Sequence, residues 1–238
     1  MEQKKVAVVT GATGGIGASV AQALSQAGYR LVLGGRSGQK LAALASRWGA
    51  EAVFVEGDLR EPGTAARLLD AALERFGRCD VCLNNAGTIE VGRIEEIDID
   101  RVCDMVRLNV EASFRVAYTF VKHFASRDAG HLVNVSSVMG RKVRTTAGAY
   151  AGTKFAIEAL SEALRMELSH SKVIVSSIQP GLVASGLHDR WDVHPSQSMG
   201  IAHPLQPDDV ARMVLFVLGQ PAHVRIPQLM ILPRNHEI

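Results

Sequence analysis

The chain has 238 residues, 47% of them hydrophobic, and a formal net charge of +2. That size and apolar content suit one globular domain spanning residues 1–238, and a near-neutral balance without long like-charge blocks argues against nucleic acid or a membrane as the main partner. The apolar runs fall short of the about eighteen residues of a membrane span, the polar start Met1–Lys5 shows no secretory signal, and an odd, sparse set of cysteines (Cys79, Cys82, Cys103) points to a reducing compartment, expected to be the cytoplasm.

The predicted elements alternate between short β runs and longer helical stretches. Val6–Val9 is an apolar run ending in a glycine-rich turn; Ile16–Ala27 has helical spacing and stops at Gly28; Arg30–Leu33 is a second strand. Gln39–Trp48 reads as a helix and Ala52–Val55 as a strand, and Pro62 suits the first turn of a helix running to Phe76. Val81–Leu83 is a strand leading into Asn84-Asn85-Ala86-Gly87, and a helical region covers about 100–126 with a break near Asn109. Then come the strand Leu132–Val135, the helix Tyr150–Leu168 and the strand Val173–Ile178, closed by Pro180-Gly181. Residues 182–206 lack periodicity; a loop of that length in a compact domain is either a lid or disordered, and it is expected to be the substrate-binding loop. Pro207 opens a helix to Leu218, and Ile226–Leu232 is the last strand. Strands apolar throughout, with helices between them, predict an α/β fold: one doubly wound, mostly parallel sheet covered by helices on both faces.

Thr10-Gly-Ala-Thr-Gly-Gly-Ile-Gly17 sits between the first strand and the first helix. Glycines there allow a tight turn and close approach of a pyrophosphate, whose charge the helix N-terminus favours. The second strand ends Leu33-Gly34-Gly35-Arg36-Ser37, with no carboxylate to hold ribose hydroxyls and with Arg36 available for a 2′-phosphate. The expected cofactor is therefore NADP(H). Tyr150 and Lys154 stand four residues apart, with Ser137 upstream. On a helix they share a face, so an ammonium beside the phenol is expected to lower its pKa toward the range useful for acid/base work, and Ser137 could bond the same substrate oxygen. Cys79-x-x-Cys82 has no second pair and lies in an apolar run, so it reads as buried strand cysteine rather than a metal or redox site; His188, His194 and His203 fit no metal spacing. No metal is expected.

Taken in order, these motifs resemble the short-chain dehydrogenase/reductase family over nearly the whole chain: Thr10–Gly17, Gly57-Asp58-Leu59, Asn84–Gly87, Leu108-Asn109-Val110, Asn134-Val135-Ser136-Ser137, Tyr150-Ala-Gly-Thr-Lys154 and Pro180-Gly181. The resemblance implies a single Rossmann domain, a seven-stranded sheet and a homo-oligomer, dimer or tetramer, with 100–126 and 150–168 as interface helices. It also implies residue roles. Tyr150 would be the acid/base, Ser137 would bind the substrate oxygen, and Lys154 would hold the nicotinamide ribose and depress the Tyr150 pKa. Asn109 would position a water linking Lys154 to solvent. Gly11, Thr13, Gly15, Ile16 and Gly17 would carry the pyrophosphate, Asp58 and Leu59 the adenine, and Asn85, Ala86 and Gly87 the adenosine side. Pro180, Gly181, Val183 and Ser185 would meet the carboxamide end, Ser185 standing where the family commonly has threonine.

Gly140-Arg141-Lys142-Val143 and the end Val224–Pro233 resemble the NADP-dependent branch acting on 3-hydroxy acids, serine-like substrates and small aldehydes. The Gly-Gly-containing C-terminus common in acyl-carrier-protein ketoreductases is absent, which lowers a 3-oxoacyl reading; a cofactor-binding sensor or scaffold is the other alternative. Met139, Leu187, Trp191 and Met199 are candidate pocket residues, and Arg144 or Arg190 could clamp a carboxylate. The expected substrate is a small or medium hydroxy acid, ketone or aldehyde.

Overall fold

In a computed structural model of the chain, residues 3–189, 191 and 193–238 are described. Seven strands form one parallel sheet: β1 (Val6–Thr10), β2 (Arg30–Gly35), β3 (Ala52–Glu56), β4 (Val81–Asn84), β5 (Gly130–Val135), β6 (Val173–Pro180) and β7 (Gln228–Ile231). Their spatial order is β3-β2-β1-β4-β5-β6-β7. The chain therefore winds outward from β1, returns to β4 on its other side and winds outward again. The reversal between β1 and β4 opens a crevice at their carboxyl ends, where sheets of this kind bind ligands.

The alternation of β1 explains the two cores. Ala7 and Val9 face one layer; there they meet α1 (Gly15–Gln26) through Val20 and Leu24, α2 (Gly38–Ala45) through Leu41, and α8 (Pro207–Leu218) through Val210 and Val214. Val6 and Val8 face the other; there they meet α3 (Thr64–Phe76) through Leu68 and Phe76, α5 (Ser113–Ser126) through Phe120 and Phe124, and α6 (Gly148–Glu167) through Leu160 and Leu164. Both faces are buried, so these strands carry unbroken apolar runs rather than alternating polarity. Cys79 and Cys82 belong to the second layer, where burial pushes the Cys79 thiol up to about 12 and the Cys82 thiol well above its ordinary range.

Several boundaries differ from the sequence reading. Pro62 does not open α3: Glu61-Pro62-Gly63-Thr64 forms a turn in which Thr64 N–H donates to the Glu61 carbonyl, and Gly63 has φ 92°. Pro-Gly is the natural centre of a type II turn, and that local preference outweighs the first-turn role of proline. The helix predicted over 39–48 stops at Ala45 and gives way to turns and a single 3₁₀ turn, Gly49–Glu51. The helical region near Asn109 is continuous but changes gauge, from α4 (Ile99–Val106) through a π-helical segment, Arg107–Ala112, into α5. The loop over 182–206 holds the short helix α7 (Pro195–Ser198) and returns to the sheet side through a Val183–Leu205 bridge.

Candidate active site

A cleft of about 690 Å³ lies over the β1/β4 switch point. Its floor at one end is the glycine loop, and three glycines are required for different reasons. Gly11 has φ 62°, and a Cβ there would sit 3.0 Å from Ala86 Cα. A Cβ on Gly15 would stand 2.9 Å from the Ser185 backbone, and one on Gly17 would run into the Gly11 carbonyl. The loop is stapled to the segment after β4. Thr10 Oγ1 donates to the Leu83 carbonyl and accepts from the N–H groups of Asn85 and Ala86, while Asn85 Nδ2 donates to the Thr10 and Gly11 carbonyls. Gly14, at the N-cap of α1, offers no side-chain cap, and the first turn has no acidic residue. An uncapped helix N-terminus beneath a glycine cradle is the chemistry a pyrophosphate requires.

At the β2 end, Arg36 is exposed on the cleft wall beside Lys40, and Ser37 Oγ accepts from Lys40 N–H to cap α2. Asp58 and Leu59 line the same end. The Asp58 carboxylate is already engaged: Arg60 reaches it with two side-chain nitrogens, at 2.6 Å and 3.1 Å, and with its backbone N–H at 2.9 Å. The hydrogen bonds from Arg60 hold the Asp58 carboxyl below its usual range.

At the opposite end Ser137, Tyr150 and Lys154 converge on one wall. Ser137 ends the extended segment after β5, and its Oγ accepts from Met139 N–H at 3.1 Å. Tyr150 and Lys154 face the cleft one turn apart on α6, with Nζ 5.7 Å from the Tyr150 ring centroid and donating to the Val135 carbonyl at 3.1 Å. Tyr150 packs among Met105, Val138, Met139 and Ala151. This apolar setting reverses the expected direction of its pKa. Burial pushes the phenol up to about 12, against which a hydrogen bond with Ser137 works, and burial brings Lys154 down to about 8, against which the charge of Glu158 works. Desolvation disfavours the charged form of both partners and exceeds the attraction that the i, i+4 spacing suggested.

Asn109 is buried beside this wall rather than lining the cleft. Its Nδ2 donates to the Thr88 carbonyl at 2.8 Å and to Thr153 Oγ1 at 3.2 Å, and its Oδ1 accepts from Thr88 N–H at 2.9 Å. The side chain thus clamps the segment leaving Gly87 to α6, and its polar atoms are committed to that task. A buried ladder invisible to spacing supports the same wall: Asn84 Nδ2 donates to Asn134 Oδ1, and Asn134 Nδ2 to Ser161 Oγ, both at 2.9 Å.

Gly87, Pro180, Gly181, Val183 and Ser185 line the middle of the cleft, and Met139, Leu187 and Trp191 its outer part; Arg190 lies outside the described residues. Arg144 also lines the cleft, yet its guanidinium is spoken for: one nitrogen meets His236 Nε2 and the Glu237 carbonyl, each at 2.7 Å, and the other meets Met199 Sδ. His236 packs on Gly181, where a Cβ would collide with the ring, and itself lines the cleft. Sequence reasoning missed His236, because its approach depends on how the chain end folds back. His188 stacks edge-on against Trp191 at 4.9 Å, and burial pushes its imidazole down to about 4.

Fold and site together define a nucleotide-binding α/β oxidoreductase. The family model described as short chain dehydrogenase matches residues 5–194, and the chain belongs to that family. It is 32% identical over 231 residues to an uncharacterised oxidoreductase of Staphylococcus epidermidis, covering 97% of this chain and 98% of that protein. Among solved structures it is similar to an alcohol dehydrogenase from the archaeon Thermococcus sibiricus complexed with 5-hydroxy-NADP (28% identity, TM-score 0.88, 99% of each chain). It is also similar to an actinorhodin polyketide ketoreductase variant with NADPH (29% identity, TM-score 0.87, 97% and 96% covered) and to serine dehydrogenase from Escherichia coli (25% identity, TM-score 0.86, 98% and 100% covered).

Proposed function

We propose that the chain is an NADP(H)-dependent oxidoreductase interconverting a carbonyl and a primary or secondary alcohol, with Tyr150 as the proton donor and acceptor. The observation that carries this reading is the meeting of Ser137, Tyr150 and Lys154 on the wall of a cleft whose far end is a glycine cradle beneath an uncapped helix. When bound, the nicotinamide cofactor supplies the hydride chemistry. Gly11, Gly15 and Gly17 leave room for its pyrophosphate, and Arg36 and Lys40 offer positive charge at the adenosine end, where β2 ends without a carboxylate. That charge, and the NADP-type ligands of the archaeal and polyketide neighbours, favour NADP(H) over NAD(H).

In reduction, the substrate oxygen gains negative charge, and Ser137 Oγ and Tyr150 Oη donate hydrogen bonds to it. Tyr150 then gives up its proton. Its raised pKa keeps it protonated in this setting, and the phenolate left behind is stabilised by the Lys154 ammonium and by Ser137. Because Arg144 is engaged by His236 and Glu237, the apolar lining of Met139, Leu187 and Trp191 favours a small or medium ketone, aldehyde or hydroxy acid whose charged group, if any, must compete for that guanidinium. Three free cysteines, two of them buried, support a reducing compartment such as the cytoplasm. Exposed apolar side chains on the helices of the expected interface (Val106, Tyr118, Phe155 and Met166) support self-association.

Coenzyme-consumption assays over hydroxy acids, ketones and aldehydes test the reading. Turnover with NADPH should exceed that with NADH in kcat/KM, Arg36→Ala should narrow the gap about tenfold or more, and Tyr150→Phe should lower kcat roughly 10²–10⁴-fold while retaining NADPH binding. Equal or better use of NADH, or near-normal turnover in the Tyr150→Phe variant, rejects the corresponding assignment.

A further inference from the structure

Tyr150, Lys154 and Glu158 recur every four residues along α6 and so form one stripe. The mechanism above uses the first two. Glu158 is 5% exposed, and its carboxylate accepts hydrogen bonds from the Ser177 hydroxyl on β6 and from Gln228 Nε2 on β7, the latter at 3.0 Å. Gln228 Oε1 in turn accepts from Arg141 near the surface. Gly140 makes room for this arrangement, since a Cβ there would stand 3.0 Å from Glu158 Cγ and 2.8 Å from Ser136 Oγ.

Ser177 and Gln228 are neutral donors, so they satisfy the carboxylate oxygens without neutralising them. A carboxylate this deeply placed is costly unless a countercharge offsets the lost hydration. The charged groups that face it are Lys154 and Arg165 from α6 and Arg141 from the segment after β5; β6 and β7 contribute Ser177 and Gln228. Lys154 is buried beside Tyr150 and donates to the Val135 carbonyl rather than to a carboxylate, and among the described residues no cation in direct contact neutralises Glu158. Glu158 lies one helical turn beyond Lys154 on α6 and does not line the cleft.

We propose that Glu158 is a positioning residue that keeps Lys154 in its ammonium form beside Tyr150, in a line of groups running from the buried catalytic pair by way of Glu158 and Gln228 to the exposed Arg141. The proposal rests on the reading of Tyr150 as proton donor. Burial works to strip the proton from Lys154, and the negative charge of Glu158 opposes it. At an effective dielectric constant near 20, two unit charges roughly 6–10 Å apart move a titration by roughly one to two units.

The test is the pH profile of kcat for carbonyl reduction by NADPH, in the wild type, Glu158→Gln and Glu158→Asp. The glutamine keeps an oxygen for hydrogen bonding but not the charge. Its alkaline limb should move about one unit toward acid, so that kcat above the limb falls about tenfold with KM changed less than about threefold. Glu158→Asp keeps the charge, and its limb should stay within about 0.3 unit of wild type even if kcat drops. An unmoved limb in a Glu158→Gln protein that melts like the wild type overturns the proposal. So does a displacement in Glu158→Asp equal to that in Glu158→Gln. If Glu158→Gln does not fold, Glu158→Asp decides alone: a limb in place supports the proposal and a limb moved by a full unit overturns it. A wild-type enzyme that reduces no carbonyl, or whose activity survives Tyr150→Phe, would instead remove the underlying reading.

Discussion

Tyr150 and Lys154 show how burial can overrule proximity. Spacing puts an ammonium one turn from a phenol, which in water would favour the phenolate. Between them, however, the two groups have almost no solvent: Tyr150 is 7% and Lys154 8% exposed. Each is shifted toward its neutral form, Tyr150 upward to about 12 and Lys154 downward to about 8. This has a consequence for stability. Between pH 8 and 10.5 the unfolded chain holds the Lys154 proton that the folded chain has released, so stability rises with pH there. Between pH 10 and 12 the folded chain holds the Tyr150 proton that the unfolded chain has lost, so stability falls. Urea unfolding of wild type against Lys154→Met should show an alkaline gain in the wild type, up to about 3 kcal/mol, that the variant lacks. Parallel curves from pH 8 to 10 would contradict the buried-ammonium reading.

On the proposed reading, the turn from β1 into α1 is the element that holds the cofactor's pyrophosphate. Its glycines serve backbone packing as much as ligand access, because the loop closes on itself, on the segment after β4 and on Ser185. Gly17 is the sharpest case, since its Cβ would meet the Gly11 carbonyl inside the first turn of the helix. Gly17→Ala should therefore lower stability by about 2–3 kcal/mol, a fall in Tm of roughly 5–10 °C, and weaken NADPH binding in the same protein. A variant with wild-type melting and altered binding alone would mean that the loop relaxes around the methyl group. The π-helical segment at Arg107–Ala112 is a second element with a task. It brings the buried Asn109 amide to Thr88, fixing the segment that leaves Gly87 along the cleft.

For the whole molecule, the two cores leave apolar side chains on the outer surfaces of the helical layer formed by α4, α5 and α6. Val106, Tyr118, Phe155 and Met166 are all exposed there. Sedimentation of the wild type should give a dimer or tetramer, and Tyr118→Glu with Phe155→Glu should shift it toward the 25.6 kDa chain. A wild-type monomer at micromolar concentration rejects self-association through these helices. At the same scale the chain end matters, because Arg144, His236 and Glu237 join the wall before α6 to the last residues across 92 positions of sequence.

Much of this protein was legible in the linear sequence, for a specific reason. Apolar runs flanked by turns, a glycine loop between strand and helix, and a tyrosine and lysine four residues apart are local patterns, and helix and strand geometry converts them directly into position. The family resemblance added the order of the motifs, which no single pattern supplied. Tertiary structure alone decided which polar groups were already taken: Asn109 by Thr88 and Thr153, and Arg144 by the chain end. It also decided the sign of the Tyr150 shift and brought Glu158 against Ser177 and Gln228. Those outcomes depend on burial and on partners far away in sequence, and both arise only when the sheet has closed and the helices have packed on it.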